Sequence, residues 1–523
     1  MAFSGAARYP RLAVDTSEVP IKDLLCTEED LGCYSGRHSA RATVFAPSDV
    51  GELKRIFAFA RANKNRVTLR AGAHSFDGQA LGDNLVVSMV NFDRIELLPN
   101  EKLRVGAGAT WGAILAELKP RGLVPAVTVT TEHATAGGTL SGDCLSRFSP
   151  SYGKEGEWID GFELLTVEGD LLQCRRPGEN KPRSEWSLEE RAFCGAIGGL
   201  GYLGAVVSIT YCVLPVGGAD DEIAVRTIVR KFHTFAELAE DLVPTARQTC
   251  EEEPDPDDPV KLDAIWSALD TRGDGTEQAL FFTSTYARTR ERRRMVLHRP
   301  RLLLRVLVEW LMRVPFISKL LWRFYFRFMF RDGEEYLDDL EGFAFFMDGN
   351  ARAKRIGKSL GFKMRNAQQT FVVPSDPGAA GGWDKAKDDL VEWLGFAHRF
   401  LLDRGLAPTL HDTLFLPRDL PFLLSASADL PGFAVSYAFE TSNQRRLERI
   451  EEAFRDLADI LWERFGGRVY LVKNVFARPE TLAQMYGDHA VEFFQLKREL
   501  DPETILRNDF LERTFGDLLA PVA

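Results

Sequence analysis

RAGAHSFDGQAL, residues 70–81, decides how this chain is read. It follows a short apolar, β-branched run (67–69) that reads as a strand, and it sets His74 among small residues between Gly72 and Gly78. Small residues let backbone approach whatever the loop faces. His74 is therefore either an ordinary loop histidine capping backbone or a group held against something large and flat.

Outward from this loop, residues 41–215 alternate strands and helices through glycine-rich joints. VGELKRIFAFARANK is an amphipathic helix, NRVTLRAG a strand entering the loop and NLVVSMVNFDRIEL a strand region. KLRVGAGAT is a short strand, and TWGAILAELKPRG a helix ending near Gly122. WIDGFELLTVEGDLLQC reads as a hairpin joined at Glu168-Gly169-Asp170. A linker-like VGGADDEIA follows, and beyond it the character changes: EEEPDPDDP (251–259) is an acidic, proline-rich loop. AFRDLADILWERF then reads as a helix, GGRVYLVKNV as a strand and DHAVEFFQLKREL as a helix. There is no internal repeat and no long low-complexity tract.

The whole chain bounds what it can do. Its 523 residues, 45% of them hydrophobic, suffice for a large core and two domains. A net charge of −11 argues against a nucleic-acid partner. MAFSGAARYPRLAVD has no apolar run, so no secretory signal is expected. The odd set of seven cysteines contains no CxxC pair, which points to reduced thiols in a cytoplasmic protein rather than a disulfide or zinc framework. Residues 192–219 carry no charge, but five glycines and then the β-branched AVVSITYCVLPV make them a turn and a buried strand, not a membrane span.

Gly199-Leu-Gly201-Tyr-Leu-Gly204 satisfies the dinucleotide pattern G-x-G-x-x-G in the wrong setting. That motif follows a strand and opens a helix, whereas these glycines precede a strand. TTEHATAGGTLSGDCLSRFSPSYGK (130–154) is a second long loop, rich in glycine and hydroxyl residues, with little to fill a core. Loops of that length are usually functional, and their N–H groups can cradle phosphates without lysine. Three such loops in one α+β region suggest a large phosphate-bearing cofactor.

The order of RAGAHSFDGQAL, of PAVTVTTEHATAGGTLSGD with YGKEGEWIDGFELLTVEG, and of AIGGLGYLGAVVSITYCVLP resembles the FAD-binding fold of the vanillyl-alcohol oxidase superfamily over residues 40–215. The resemblance implies a PCMH-type FAD-binding domain and FAD as cofactor, with no metal. In that family the histidine of R-x-G-G-H-S often bonds the 8-methyl carbon of the flavin, and His74 occupies its position. Arg70, Ala71, Gly72, Ala73 and Ser75 are its implied neighbours at the cofactor. The second loop and the glycine turn would add Thr130, Thr131, Gly137, Gly138, Ser141, Gly142, Tyr152, Gly153, Gly204 and Val206. Members with two attachments carry a cysteine where this chain has Thr131, so a single histidyl bond is expected; Cys144 is a small packed residue.

GFKMRNAQQTFVVP, PGFAVSYAFE, GGRVYLVKNVFARPETLAQMY and KRELDPETILRNDFLERTF resemble the decaprenylphosphoryl-ribose oxidase branch and, more loosely, the sugar-lactone and alditol oxidases. This implies Tyr470 and Lys473 at the flavin and Gln368 and Thr370 facing substrate. The ribose oxidase, however, has no histidine at the His74 position and carries one where this chain has Leu145. The first loop is nearer that of the cytokinin dehydrogenases, whose C-terminal half matches less well. On the residues alone, a lysine in an apolar YLVKNV strand is usually a snorkelling edge residue. By period two it shares a face with Leu471 and Val475, which would leave it partly buried and in need of an anionic partner.

Residues 300–331 set Lys319, Arg323, Arg327 and Arg331 four apart among Leu, Val, Phe and Trp. A charged stripe on an apolar helix ordinarily marks a helix docked on its own domain; it also fits an interfacial helix on anionic lipid. The expected architecture is α+β: an FAD-binding domain over 1–216, completed by 470–523, and a mixed α/β substrate (cap) domain over 217–469. The expected activity is hydride transfer from a carbon next to oxygen or nitrogen of a small or lipid-linked substrate, sugar or alcohol type favoured, with oxygen as acceptor. The alternatives are a dehydrogenase using a quinone or protein acceptor, cytokinin-dehydrogenase-like amine oxidation, and a non-catalytic membrane-associated flavin-binding module.

Overall fold

Three sheets follow one another along the chain, and the gaps between them carry the cavity described below. The structure is a computed structural model that describes residues 21, 24, 26–217, 222–251, 262–269, 277–289, 328–348 and 365–519. The first sheet contains β1 (Cys26–Gly32), β2 (Ser39–Phe45), β3 (Val67–Arg70) and β4 (Leu85–Ser88), in the order β1-β2-β4-β3. Its last two joins are parallel, because the helix Val50–Ala62 carries the chain back between β2 and β3. That helix buries Leu53, Ile56, Phe57 and Phe59 at helical spacing and is capped by the Asp49 side chain, which accepts from the Glu52 N–H.

The second sheet contains β5 (Ile95–Leu98), β6 (Lys102–Gly106), β7 (Leu123–Pro125), β8 (Ile159–Leu165), β9 (Leu171–Arg175) and β10 (Ala205–Pro215). The order is β5-β6-β10-β8-β9, with β7 also on β10. β8 and β9 form the expected hairpin, turning at Gly169 with φ 98°. The glycine run 198–204 links the helix Leu188–Ala196 to β10 and opens no helix. No helix among the described residues is long and apolar enough to cross a membrane. The run 84–97, read as one strand region, is divided between β4 and β5 in two different sheets.

The third sheet is antiparallel throughout, in the order β14-β11-β13-β12-β16-β17-β15-β18. Its strands are β11 (Glu222–Phe232), β12 (Ala264–Leu269), β13 (Ala279–Thr289), β14 (Glu334–Asp339), β15 (Arg365–Pro374), β16 (Leu410–Leu416), β17 (Gly432–Thr441) and β18 (Arg468–Val469). Successive residues of a strand point to opposite faces. On one face Phe371 meets Trp393 of the helix Gly382–Asp403 and Phe454 of the helix Gln444–Phe465. On the other, Val372, Ala434 and Leu414 form a cluster with Leu145, Tyr470 and Val472. The large sheet therefore turns one side to its own helices and the other to the first two sheets.

The C-terminal helices return to the first sheet. The Val67 N–H donates to Ile505 (2.7 Å), and the buried Lys497 ammonium donates to the Tyr202 and Leu506 carbonyls and to Asp501. Residues 466–475 depart from the expected strand. Only Arg468–Val469 pair with β15, and 470–475 form a loop, whose Leu471 and Lys473 carbonyls are taken by the Gln79 side chain and whose Val475 N–H is taken by Asp77. Residues 300–327 and 252–259 lie outside the described residues, so the basic aromatic segment is seen only from Phe328 onward.

Candidate functional site

Loop 71–84 leaves the end of β3 and is fixed from four sides. Arg70 reaches back under it to donate to the carbonyls of Ala80 (2.9 Å) and Gly32 (3.0 Å), so its guanidinium clasps the loop. Gly72 lies so close to the second loop that a Cβ would stand 2.8 Å from the His133 carbonyl. Its N–H donates to Thr135 Oγ1 (3.2 Å), which ties the two loops together. Asp77, fully buried, accepts from Arg513 (2.9 Å), from the Val475 N–H (3.2 Å) and from His38 Nε2 (2.8 Å). Burial alone would raise its carboxyl, but the His38 hydrogen bond and the Arg513 and Arg37 charges hold it well below the usual range.

His74 stands at the crest of the loop. Its Nδ1 lies 2.6 Å from the Gly72 carbonyl, which can only accept, so Nδ1 carries the proton of that bond. The ring stacks on Tyr34 at 5.6 Å and 28°, with His133 at 6.3 Å.

The second loop enters the helix Ala136–Gly142 at Thr135, and Gly137 packs so tightly on the second sheet that a Cβ would come within 2.6 Å of Ala107. These loops, the glycine turn and loop 470–475 border a cleft of about 230 Å³. Arg70, Ala71, Gly72, Ala73, His74, Ser75, Thr130, Thr131, Gly137, Gly138, Ser141, Gly142, Gly204 and Val206 all line it, with Tyr470 and Lys473 on the opposite wall.

Four expected residues do not. Tyr152 is buried with its hydroxyl on Asp263 and its ring edge-on to Trp158, and Gly153 follows it away from the cleft. Gln368 and Thr370 lie under the loop rather than on the wall. The Gln368 N–H donates to Asn474 Oδ1 (2.9 Å), its carbonyl accepts from the Asn474 N–H (2.9 Å), and the Thr370 carbonyl accepts from the Tyr470 N–H (3.0 Å). Both residues carry the loop that presents Tyr470 and Lys473.

The two C-terminal residues differ in how they face the cleft. The Tyr470 hydroxyl donates to the Asp143 carbonyl (3.0 Å), so its ring is what it presents. The Lys473 ammonium lies 4.4 Å from the centre of the Phe76 ring, a cation–π distance. Leu471 and Lys473 do not share a face as strand periodicity implied: Leu471 is 2% exposed in the core, and Lys473 is on the cleft wall.

Several lining residues escaped the sequence reading: Tyr34, Gln79, Thr139, Met347 and Val472. Gln79 lies inside the quoted loop, and its Nε2 donates to Leu471 (3.0 Å) and Lys473 (2.9 Å) carbonyls. Only its place beside an invaginated loop could have flagged it. Behind the wall, Thr139 Oγ1 accepts from the Trp111 indole (2.9 Å) and donates to Glu155 (2.9 Å). Burial pushes the Glu155 carboxyl up to about 8, against the lowering pull of the Tyr211 and Thr139 hydrogen bonds.

The cleft suits a large, flat, phosphate-bearing group. Its walls are Cβ-poor loops with hydroxyls from Thr130, Thr131, Ser141 and Ser75. The Ser75 hydroxyl is buried on that wall with no hydrogen-bond partner among the described residues, which a bound group would supply.

Comparison with known proteins bears on that group. Residues 42–175 match the family described as FAD binding domain, and residues 434–514 match the D-arabinono-1,4-lactone oxidase family. Bovine (Bos taurus) L-gulonolactone oxidase is 29% identical over 33% of this chain and 37% of its own. (R)-6-hydroxynicotine oxidase of Paenarthrobacter nicotinovorans is 24% identical over 30% of this chain and 34% of its own. D-2-hydroxyglutarate dehydrogenase of Escherichia coli (strain K12) is 34% identical over 26% of this chain and 14% of its own. The chain thus spans about a third or less of the length of these relatives. It carries an FAD binding domain of the vanillyl-alcohol oxidase superfamily together with a C-terminal domain of the D-arabinono-1,4-lactone oxidase family, among the families of FAD-dependent oxidases and dehydrogenases.

Proposed function

We propose that this protein oxidises a hydroxyl-bearing carbon of a small or lipid-linked sugar-type alcohol, using FAD held by a single covalent bond through His74, with oxygen as the electron acceptor. The observation that carries this reading is that His74 and Lys473 line one cleft, from opposite ends of the chain. When bound there, FAD supplies a two-electron acceptor for hydride.

The chain's own residues supply binding and charge. The Gly72 carbonyl holds the His74 imidazole in one orientation. With Nδ1 so held, the imidazole is the group that would hold the flavin covalently, through its ring methyl group; the two electrons and two protons released in making such a bond would pass to the acceptor of turnover. Thr131 at the other candidate attachment point bonds Asp348, which accords with a single link. Ser75, Thr130 and Ser141 offer hydroxyls to the cofactor, and the Gln79-anchored loop holds Lys473 where negative charge develops on substrate oxygen. Met347, from the segment between β14 and β15, also lines the cleft.

Relatives include both oxidases and a dehydrogenase by name, so substrate and acceptor are the points to test. The protein is mixed anaerobically with polyols, aldoses, aldonolactones, 2-hydroxy acids and amines while flavin absorbance is followed. Bleaching by a polyol or sugar, with peroxide formed on admitting air, is the expected result. Bleaching without peroxide makes the protein a dehydrogenase, and no bleaching by any compound defeats the reading.

A further inference from the structure

The register of the large sheet brings together a carboxylate and two hydroxyls that the sequence keeps far apart. Thr370 of β15 pairs with Ser436 of β17, and Ser436 pairs with Asp412 of β16. Residues opposite one another in a ladder share a face, so the three side chains form a row across three strands. The Thr370 and Ser436 hydroxyls are 2.8 Å apart, and Ser436 hydrogen-bonds the Asp412 carboxylate.

That row lies on the side of the sheet turned to the cleft. Two residues along each strand, Val372, Ala434 and Leu414 pack with Tyr470, Val472 and Leu145, all three of which line the cleft. Asp412 is half-buried and stands behind the residues that line the cleft rather than among them. The charged groups that face it are Lys473, from the cleft wall, and Arg147, from the loop beyond Leu145. The neighbouring strand β12 presents only Ala268 to it. Arg147 is itself clamped, its guanidinium 3.9 Å from the Trp266 ring centre and 3.6 Å from that of Phe346. A carboxylate thus faces two cations at the inner end of the wall that carries Lys473.

We propose that Asp412 is the general base of the site, taking the hydroxyl proton of the alcohol whose oxygen Lys473 holds. The step balances: the carbon's hydride goes to oxidised FAD, the hydroxyl proton goes to Asp412, and the C–O bond becomes a carbonyl. Asp412 returns its proton to solvent or to the acceptor in the oxidative half-reaction. The assignment rests on the proposed alcohol oxidation and adds the proton acceptor that neither motif nor family match names. Burial raises the Asp412 carboxyl to about 6, although Ser436, Lys473 and Arg147 pull it down. A base in that range is ionised at neutral pH and still basic enough to accept a proton.

The test uses the flavin-loaded protein and two readouts. In the first, infrared difference spectra of wild type and Asp412→Asn are taken from pH 4 to 9 without substrate. A protonated-carboxyl band missing from the variant should disappear as pH rises through about 6, and Lys473→Met should move that loss to higher pH. In the second, the best polyol or sugar from the panel reduces each protein anaerobically. Wild-type reduction should rise with pH through the same range and then level. Asp412→Asn, near-isosteric and able to keep the Ser436 hydrogen bond, should be at least about 100-fold slower with that rise gone. Asp412→Glu should restore the rise, and both variants should keep full flavin content and wild-type circular dichroism. A band insensitive to Lys473, or Asp412→Asn reducing at the wild-type rate with the wild-type profile, overturns the assignment alone. Wild type that no alcohol reduces removes the oxidation reading and this assignment with it.

Discussion

The Gln79 side-chain amide donates to the Lys473 carbonyl at 2.9 Å across 394 residues of sequence. A second bond runs from the same nitrogen to the Leu471 carbonyl (3.0 Å), and Gln79 Oε1 accepts from the Asp77 N–H (2.9 Å). One buried amide therefore joins the histidine-bearing loop to the lysine-bearing one.

Gln79→Ala should destabilise the protein by about 1–3 kcal/mol, since it leaves buried backbone groups unsatisfied. Hydrogen exchange at 471–475 should quicken more than exchange in the third sheet's helices. Thermal denaturation with exchange mass spectrometry measures both, and unchanged protection of 471–475 would show that Gln79 does not hold the loop.

His74→Ala should abolish any flavin that survives acid denaturation, while the cleft retains dissociable FAD through its glycine loops. Mass spectrometry of the wild-type peptide containing His74 should find the added FAD. An unmodified peptide from yellow protein would refute the covalent link and leave FAD binding intact.

Ser75→Ala removes a buried hydroxyl that has no partner among the described residues. In the His74→Ala background it should weaken FAD binding by roughly tenfold, the scale of one hydrogen bond. The stability of the flavin-free protein should be unaltered. Equal FAD affinity with and without the hydroxyl would mean that Ser75 does not face the cofactor.

Lys473→Met should slow anaerobic flavin reduction by roughly 100-fold or more while flavin content is kept, as for the loss of one electrostatic stabiliser. Stopped-flow reduction with a panel substrate provides the check. Wild-type kinetics would make Lys473 a packing residue on Phe76.

Stability should fall as pH rises toward 8. Burial raises Glu155 from 4.5 to about 8 and Glu157 from 4.5 to about 7. With folded values above unfolded ones, the native state binds more protons between about 4.5 and 8, so these two groups favour folding least above that window. Melting temperature should drop from pH 6 to pH 9, and Glu155→Gln, neutral at every pH, should shrink the drop. A Glu155→Gln curve parallel to wild type would locate the pH dependence elsewhere.

Residues 70–81 and 198–204 announce their loops because glycine and small side chains act through local backbone sterics, whereas 130–154, read as one long loop, folds in part into the helices Ala136–Gly142 and Ser149–Tyr152. Such sterics depend on neighbours in sequence alone. Periodicity likewise marked the helices Val50–Ala62 and Gln444–Phe465 and the hairpin of β8 and β9. YLVKNV misled for the converse reason. Its β-branched pattern favours a strand, but the Gln79 and Asp77 side chains take its backbone groups, and Asn474 Oδ1 takes the Gln368 N–H of β15 that a ladder carbonyl would otherwise accept. Gln368 and Thr370, expected to face substrate, do not line the cleft, and their backbone groups bear that loop.

The sequence by itself determined the glycine-rich loops that line the cleft, the histidine set among them and the α+β alternation, all of them short-range consequences of backbone freedom and periodicity. Only the tertiary structure decided that Lys473 faces His74's cleft and that Asp412, Ser436 and Thr370 line up beside it. Cross-strand register and the buried bonds of Gln79 and Asp77 join residues hundreds of positions apart, and no local pattern encodes which of them meet.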